Sequence, residues 1–139
     1  MSTLDSLIRL HRWRLDEARR QVAELEQLTA KLRAELEALH QEQIAEQAAA
    51  RNSPEASFAY GNYAGAVIER RRKLTHSLIA TEQQATKARE ALAEIFQEVK
   101  RYEIAAARRR LAQRVETERR EQSQKDDLGT EIFRRRNPA

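Results

Sequence analysis

The stretch SPEASFAYGNYAG, residues 53–65, contains two of the chain's three glycines, one of its two prolines and three of its six phenylalanines and tyrosines. Ser53–Pro54 has the form of an N-cap followed by a first-turn proline, Gly61 and Gly65 loosen the backbone, and Asn62 offers a second N-cap. Turn chemistry gathered in one place marks a reversal of the chain. The segments on either side show what is reversed.

Upstream, apolar residues recur at alternating spacings of four and three: Leu4, Ile8, His11, Leu15, Ala18, Val22, Leu25, Thr29, Leu32, Leu36 and Leu39. Nine of these eleven positions are apolar, and no Gly or Pro interrupts them. This is the narrow stripe of a helix that packs on another helix. Ser2, with Asp5 three residues later, resembles a capping box at its start. Downstream the same spacing runs through Val67, Arg71, Leu74, Leu78, Thr81, Ala85, Ala88, Leu92, Ile95, Val99, Tyr102, Ala106 and Arg109, ten of thirteen apolar. Neither Gly nor Pro falls between Ala66 and Leu128.

The expected fold is therefore all-α: a long antiparallel two-helix coiled-coil hairpin with an overhanging C-terminal helix. It forms one unit over residues 1–139, with helix 1 over about 3–50, a turn over about 51–61 and helix 2 over about 62–128. If the chain folds back, facing seam residues have numbers summing to about 113, so that Leu36 meets the region of Leu78 and Val22 that of Leu92. Helix 1 then runs out near residue 110 of helix 2, leaving a tail over 110–136 that carries Leu111, Val115, Leu128, Ile132 and Phe133 among many charges. An unpaired amphipathic helix calls for a partner. Gly129 is expected to fray the tail or end it at 128, because an interior glycine costs roughly 1 kcal/mol relative to alanine. A parallel dimer of extended chains satisfies the same heptads; the turn chemistry favours the hairpin.

Composition narrows the function. With 5% aromatic and 35% charged residues, a thick globular core is unavailable. The absence of cysteine removes disulfides, thiolate metal sites and a cysteine nucleophile. No 18-residue apolar run occurs, and Asp5, Arg9 and His11 interrupt the N-terminus too early for a signal-peptide apolar region, so a soluble protein is expected. His11, His40 and His76 occupy different heptad positions without a paired ligand, which speaks against metal. A P-loop, a glycine-rich phosphate cradle and an ordered triad are all missing, so no enzyme, catalytic residue or cofactor is expected. Net charge is +4, with 7 Lys+Arg against 9 Asp+Glu in residues 1–50 and 19 against 13 in the remainder. Such a basic half suits nucleic acid, anionic lipid or an acidic protein. The runs Arg70–Lys73 and Arg108–Arg110 have no stacking aromatics beside them, so no nucleic acid is expected.

Four segments carry a family resemblance: SLIRLHRWRLDEARRQVAELE at the start, FAYGNYAGAVIERRRKL at the turn, SLIATEQQATKAREALAEIFQEVKRYE in helix 2 and RREQSQKDDLGTEIFRRR at the end. Over nearly the whole chain these resemble the flagellar export stalk family FliJ, particularly its alphaproteobacterial form. The resemblance implies a monomeric stalk inserted into a hexameric flagellar export ATPase, stimulating it and linking it to the cytoplasmic domain of the export-gate membrane protein, with export chaperones as further partners. It implies a cytoplasmic location, peripheral to the inner membrane at the flagellar base. The ATPase-facing residues it implies are Asp126, Asp127, Glu131, Arg134 and Arg135, and the overhang's own apolar residues Leu111, Val115 and Phe133 are expected to face the ring with them. Trp13, which lies off the apolar stripe, is expected to join them. Gate contact is implied at the hairpin tip, through Tyr60, Tyr63 and Val67, and Phe58 is expected to join that patch. The tip aromatics also fit a plain cap on the hairpin core. A coiled-coil binding module that holds chaperones or RNA without an ATPase, and the stalk of an injectisome-type system, are the competing readings.

Overall fold

The computed structural model describes residues 2–137. Two long helices, α1 (Thr3–Ala49) and α2 (Pro54–Arg136), pack against each other as a helical hairpin, joined by a single 3-10 turn over Ala50–Asn52. No strand occurs among the described residues. By packing, the residues group into two compact units. One is Trp13–Phe96, which includes the turn; the other combines the chain up to Arg12 with the chain from Gln97 onward.

α1 starts where Ser2 caps it. The Asp5 amide donates to Ser2 Oγ at 3.1 Å, and the Ser2 hydroxyl donates to Asp5 Oδ2 at 2.9 Å, so one of the helix's orphan donors is satisfied. The Ser2 hydroxyl's bond to the carboxylate, assisted by the Ser2 backbone N–H, holds the Asp5 carboxyl below its ordinary pKa, since both favour the charged form.

The reversal is tighter than the expected turn over 51–61. Ser53 is extended (φ −158°, ψ 159°), its Oγ accepts from the Ala56 amide at 3.0 Å, and Pro54 takes the first helical position, where no N–H is needed. The Ser57 hydroxyl crosses the turn to the Ala50 carbonyl at 2.7 Å. α2 therefore begins at Pro54 and not near residue 62, with Gly61 and Gly65 inside it at ordinary helical geometry and no positive φ. The helix continues through them because Tyr60, Tyr63, Ala64 and Val67 extend the packed stripe back to Ser53. Packing along that stripe outweighs the roughly 1 kcal/mol that each glycine costs. The expected end at 128 is also corrected. Gly129 stays helical and α2 runs to Arg136.

In the Trp13–Phe96 unit, Leu15, Val22, Leu32, Leu39, Val67 and Ala85 are buried, and the polar seam residues Thr29 and Thr81 are buried with them. Each threonine hydroxyl donates to the carbonyl four residues earlier in its own helix, Leu25 at 2.9 Å and Ser77 at 2.8 Å, so neither is left unsatisfied. Arg33 meets Glu82 at 2.5 Å, Arg89 meets Glu26 at 3.4 Å and Arg71 bonds to Gln43, all with residue numbers summing to 114 or 115. In the other unit Ile8, His11, Val99 and Ala106 form the seam, and Arg12 reaches Glu103 at 3.1 Å, again summing to 115. The antiparallel register thus lies within two residues of the expected 113. Among the described residues no large side chain is fully buried, as a two-helix seam open on both sides requires.

Candidate interaction surfaces

Seam burial ends at Ala106. Every described residue from Ala107 to Asn137 is exposed, although α2 stays helical to Arg136. The result is a free arm of thirty residues, Ala107–Arg136, about 45 Å long at about 1.5 Å per residue. It is held as a helix by its own side chains: Arg120 pairs with Glu116 at 3.3 Å, Arg135 with Glu131 at 2.8 Å, and Gln122 donates to Asp126 at 3.0 Å, all at i,i+4.

The arm's large apolar side chains are out in water: Leu111, Val115, Leu128, Ile132 and Phe133 are between 45% and 66% exposed. They do not continue the seam. Extending its four–three spacing past Ala106 gives Arg109, Gln113, Glu116, Arg120, Ser123, Asp127, Thr130 and Arg134, all polar. Leu111, Val115 and Phe133 instead lie within about 40° of one another on the far side of the helix, at about 100° per residue. They form an exposed apolar face outside the hairpin core.

Charge has the same address. The arm carries ten Lys+Arg against six Asp+Glu, and the rest of the chain balances at sixteen of each, so the whole excess of +4 belongs to the arm. Within it the charge alternates in blocks. Residues 104–115 hold four arginines and no acid, 116–127 hold five acids against three bases, and 128–136 hold three arginines against Glu131.

The expected ATPase-facing set divides between the two units. Leu111, Val115, Asp126, Asp127, Glu131, Phe133, Arg134 and Arg135 share the arm, whereas Trp13 belongs to the other unit. There Trp13, 62% exposed, lines an open groove whose floor includes Ala18, Ala88 and Ala91, with Arg14, Glu17, Arg20 and Glu24 among its other lining residues. At the hairpin tip Phe58 is 79% exposed, while Tyr60 and Tyr63 are half-buried with ring centroids 5.9 Å apart. The Tyr63 hydroxyl is shut away from solvent without a bonded partner among the described residues. Its burial pushes the phenol's pKa up, and the nearby Glu42 carboxylate adds to this through its charge. Val67, at 3% exposure, is a seam residue and offers no surface to a gate or any other partner, so it is removed from the tip set.

His11 is buried in the seam, its ring stacked on Tyr102 at 4.7 Å and its Nδ1 3.5 Å from Glu98. The expected register pairs His11 with Tyr102, as observed, but gives no sign of Glu98. Glu103, also facing α1, is held below its ordinary pKa chiefly by the hydrogen bond from Arg12. No group of three or more His, Asp or Glu among the described residues could hold a metal, and no helix is long and apolar enough to cross a membrane.

A two-helix hairpin extended by a free, charged, apolar-studded arm defines a class of protein: a helical adapter that acts by contact. The chain matches the family model of the flagellar FliJ protein over residues 1–138 and belongs to that family. It is accordingly a non-enzymatic component of the flagellar export apparatus. Nothing matches it among curated proteins or among solved structures.

Proposed function

We propose that this protein is the stalk of the flagellar export apparatus, binding and stimulating the hexameric export ATPase through its arm and linking it to the cytoplasmic domain of the export gate. The observation that carries the reading is the uncovered arm, whose large apolar residues stand outside the seam and whose charge makes up the whole net excess of the chain. A helix that keeps both in water is built for an external partner. A stalk needs no catalytic group: it shifts a ring among its states by contacting some of them better than others.

In this reading Leu111, Val115, Asp126, Asp127, Glu131, Phe133, Arg134 and Arg135 face the ring, and Trp13 adds a contact from the hairpin. Phe58, with Tyr60 and Tyr63 behind it, meets the gate. The protein acts as a monomer at the cytoplasmic face of the inner membrane, and export chaperones are further partners. Binding of the full-length chain to the assembled ATPase hexamer tests the reading. Affinity that falls on Phe133→Ala and Leu111→Ala supports it, and failure of the wild-type chain to bind refutes it.

A further inference from the structure

The arm's arginines are arranged in a way that the ring reading alone does not require. Two runs of three, Arg108–Arg110 and Arg134–Arg136, stand at its two ends. Successive residues on an α-helix are about 100° apart, so three in a row spread charge over about 200° of the circumference before the length of the side chains is counted. All six are exposed, and among the described residues only Arg135 has an ion-pair partner, Glu131. Arg110 donates weakly to its own helix, Nε to the Ala106 carbonyl at 3.4 Å. A flat partner, such as a membrane surface, faces only one side of a helix and leaves most of such a belt unused.

Apolar residues adjoin each belt: Leu111 and Val115 the first, Ile132 and Phe133 the second. Between Val115 and Leu128 lie twelve residues, ETERREQSQKDD, without one apolar side chain and with a net charge of −2. A second copy of the arm would find no core over those three turns, which argues against self-pairing. The same segment would be repelled by a channel that is anionic along its whole length.

Resting on the stalk reading, we propose that the ring grips the arm at two separate levels: two collars of carboxylates, each with apolar surface beside it, closing around the belts Arg108–Arg110 and Arg134–Arg136 about 39 Å apart. Carboxylates are the matching chemistry because guanidinium forks bind them in paired hydrogen bonds. At the first belt the collar also passes the start of α1, since Leu4 and Asp5 line a groove with Arg109 and Arg110.

The test alters spacing while keeping every native residue. Inserting eleven helix-forming residues after Gln122 adds about 16 Å between the belts and turns them by only about 20° relative to each other. Binding of the full-length chain to the ATPase hexamer is measured for the wild type, this insertion, the triple reversal of each belt to Glu, and Arg108→Lys with Arg136→Lys. Two-level grip predicts that the insertion and either reversal each lose roughly 10²-fold in affinity, because each leaves a single level engaged. The lysine variant, which keeps the charge but gives up the paired guanidinium–carboxylate bonds at two of the six positions, loses affinity measurably but less than either reversal. An insertion that binds like the wild type overturns the two-level grip while leaving the stalk reading intact. Equal binding of the wild type to vesicles of anionic lipid overturns it in favour of a surface partner. A wild-type chain that does not bind the hexamer removes the stalk reading and this inference together.

Discussion

Leu39→Ala and Leu111→Ala remove the same atoms from the same chain, yet the structure assigns them opposite consequences. Leu39 is 4% exposed in the seam, and Leu111 is 57% exposed on the arm. A buried leucine truncated to alanine loses its transfer energy and leaves a cavity, at about 2–5 kcal/mol in a closed core. A two-helix seam lets water reach the cavity from both sides, which places Leu39→Ala at the low end, about 2 kcal/mol. Leu111→Ala gives up little buried area and gains slightly in helix propensity, so its effect is within about 0.5 kcal/mol. Urea unfolding followed by circular dichroism at 222 nm separates them. With a denaturant slope of about 2 kcal/mol/M, Leu39→Ala lowers the midpoint by about 1 M and Leu111→Ala leaves it in place. Binding to the ATPase should respond in the reverse sense. A Leu111→Ala midpoint as low as that of Leu39→Ala would show the arm packed in solution, and the free-arm reasoning would fail.

Three further outcomes are expected. Gly61→Ala and Gly65→Ala, at helical φ with nothing within 4 Å of the added Cβ, should each stabilise the hairpin by about 0.5–1 kcal/mol, read as a rise in the urea midpoint. Ser53→Ala removes the cap of α2 and should cost about 1 kcal/mol in the same assay. Asp5 has a folded-state pKa below its unfolded value, so its stabilising effect is full above the unfolded pKa and is lost as pH falls through the lowered one. Ser2→Ala should therefore narrow the stability difference between neutral and acidic solution, measured as urea midpoints at pH 7 and pH 3.

The seam was legible because its physics is periodic. All eleven expected seam residues of α1 are buried or half-buried, as are their counterparts on α2 from Val67 through Ala106. Arg109 is the exception, since it stands where α1 has run out. The helix ends were less legible. Gly61, Gly65 and Gly129 read as breaks, yet none takes a positive φ, and the helix passes through all three. A local propensity of about 1 kcal/mol is decided by neighbours, and Tyr60, Tyr63 and Ala64 belong to the packed stripe. At the candidate surfaces, periodicity gave the arm but not its face, because Leu111, Val115 and Phe133 lie off the seam and have no partner in the chain to set a spacing. Val67 reads both as a seam residue and as a tip contact, and at 3% exposure it is the seam that holds it.

The central claim is that the arm couples this protein to the export ATPase. The direct measurement is the steady-state ATP hydrolysis rate of the hexamer with the full-length chain and with a chain ending at Arg109, both checked for helicity by circular dichroism. The account predicts stimulation by the full chain and none by the shortened one. Equal stimulation by both, or none by either when the ATPase is competent to form hexamers, would contradict it.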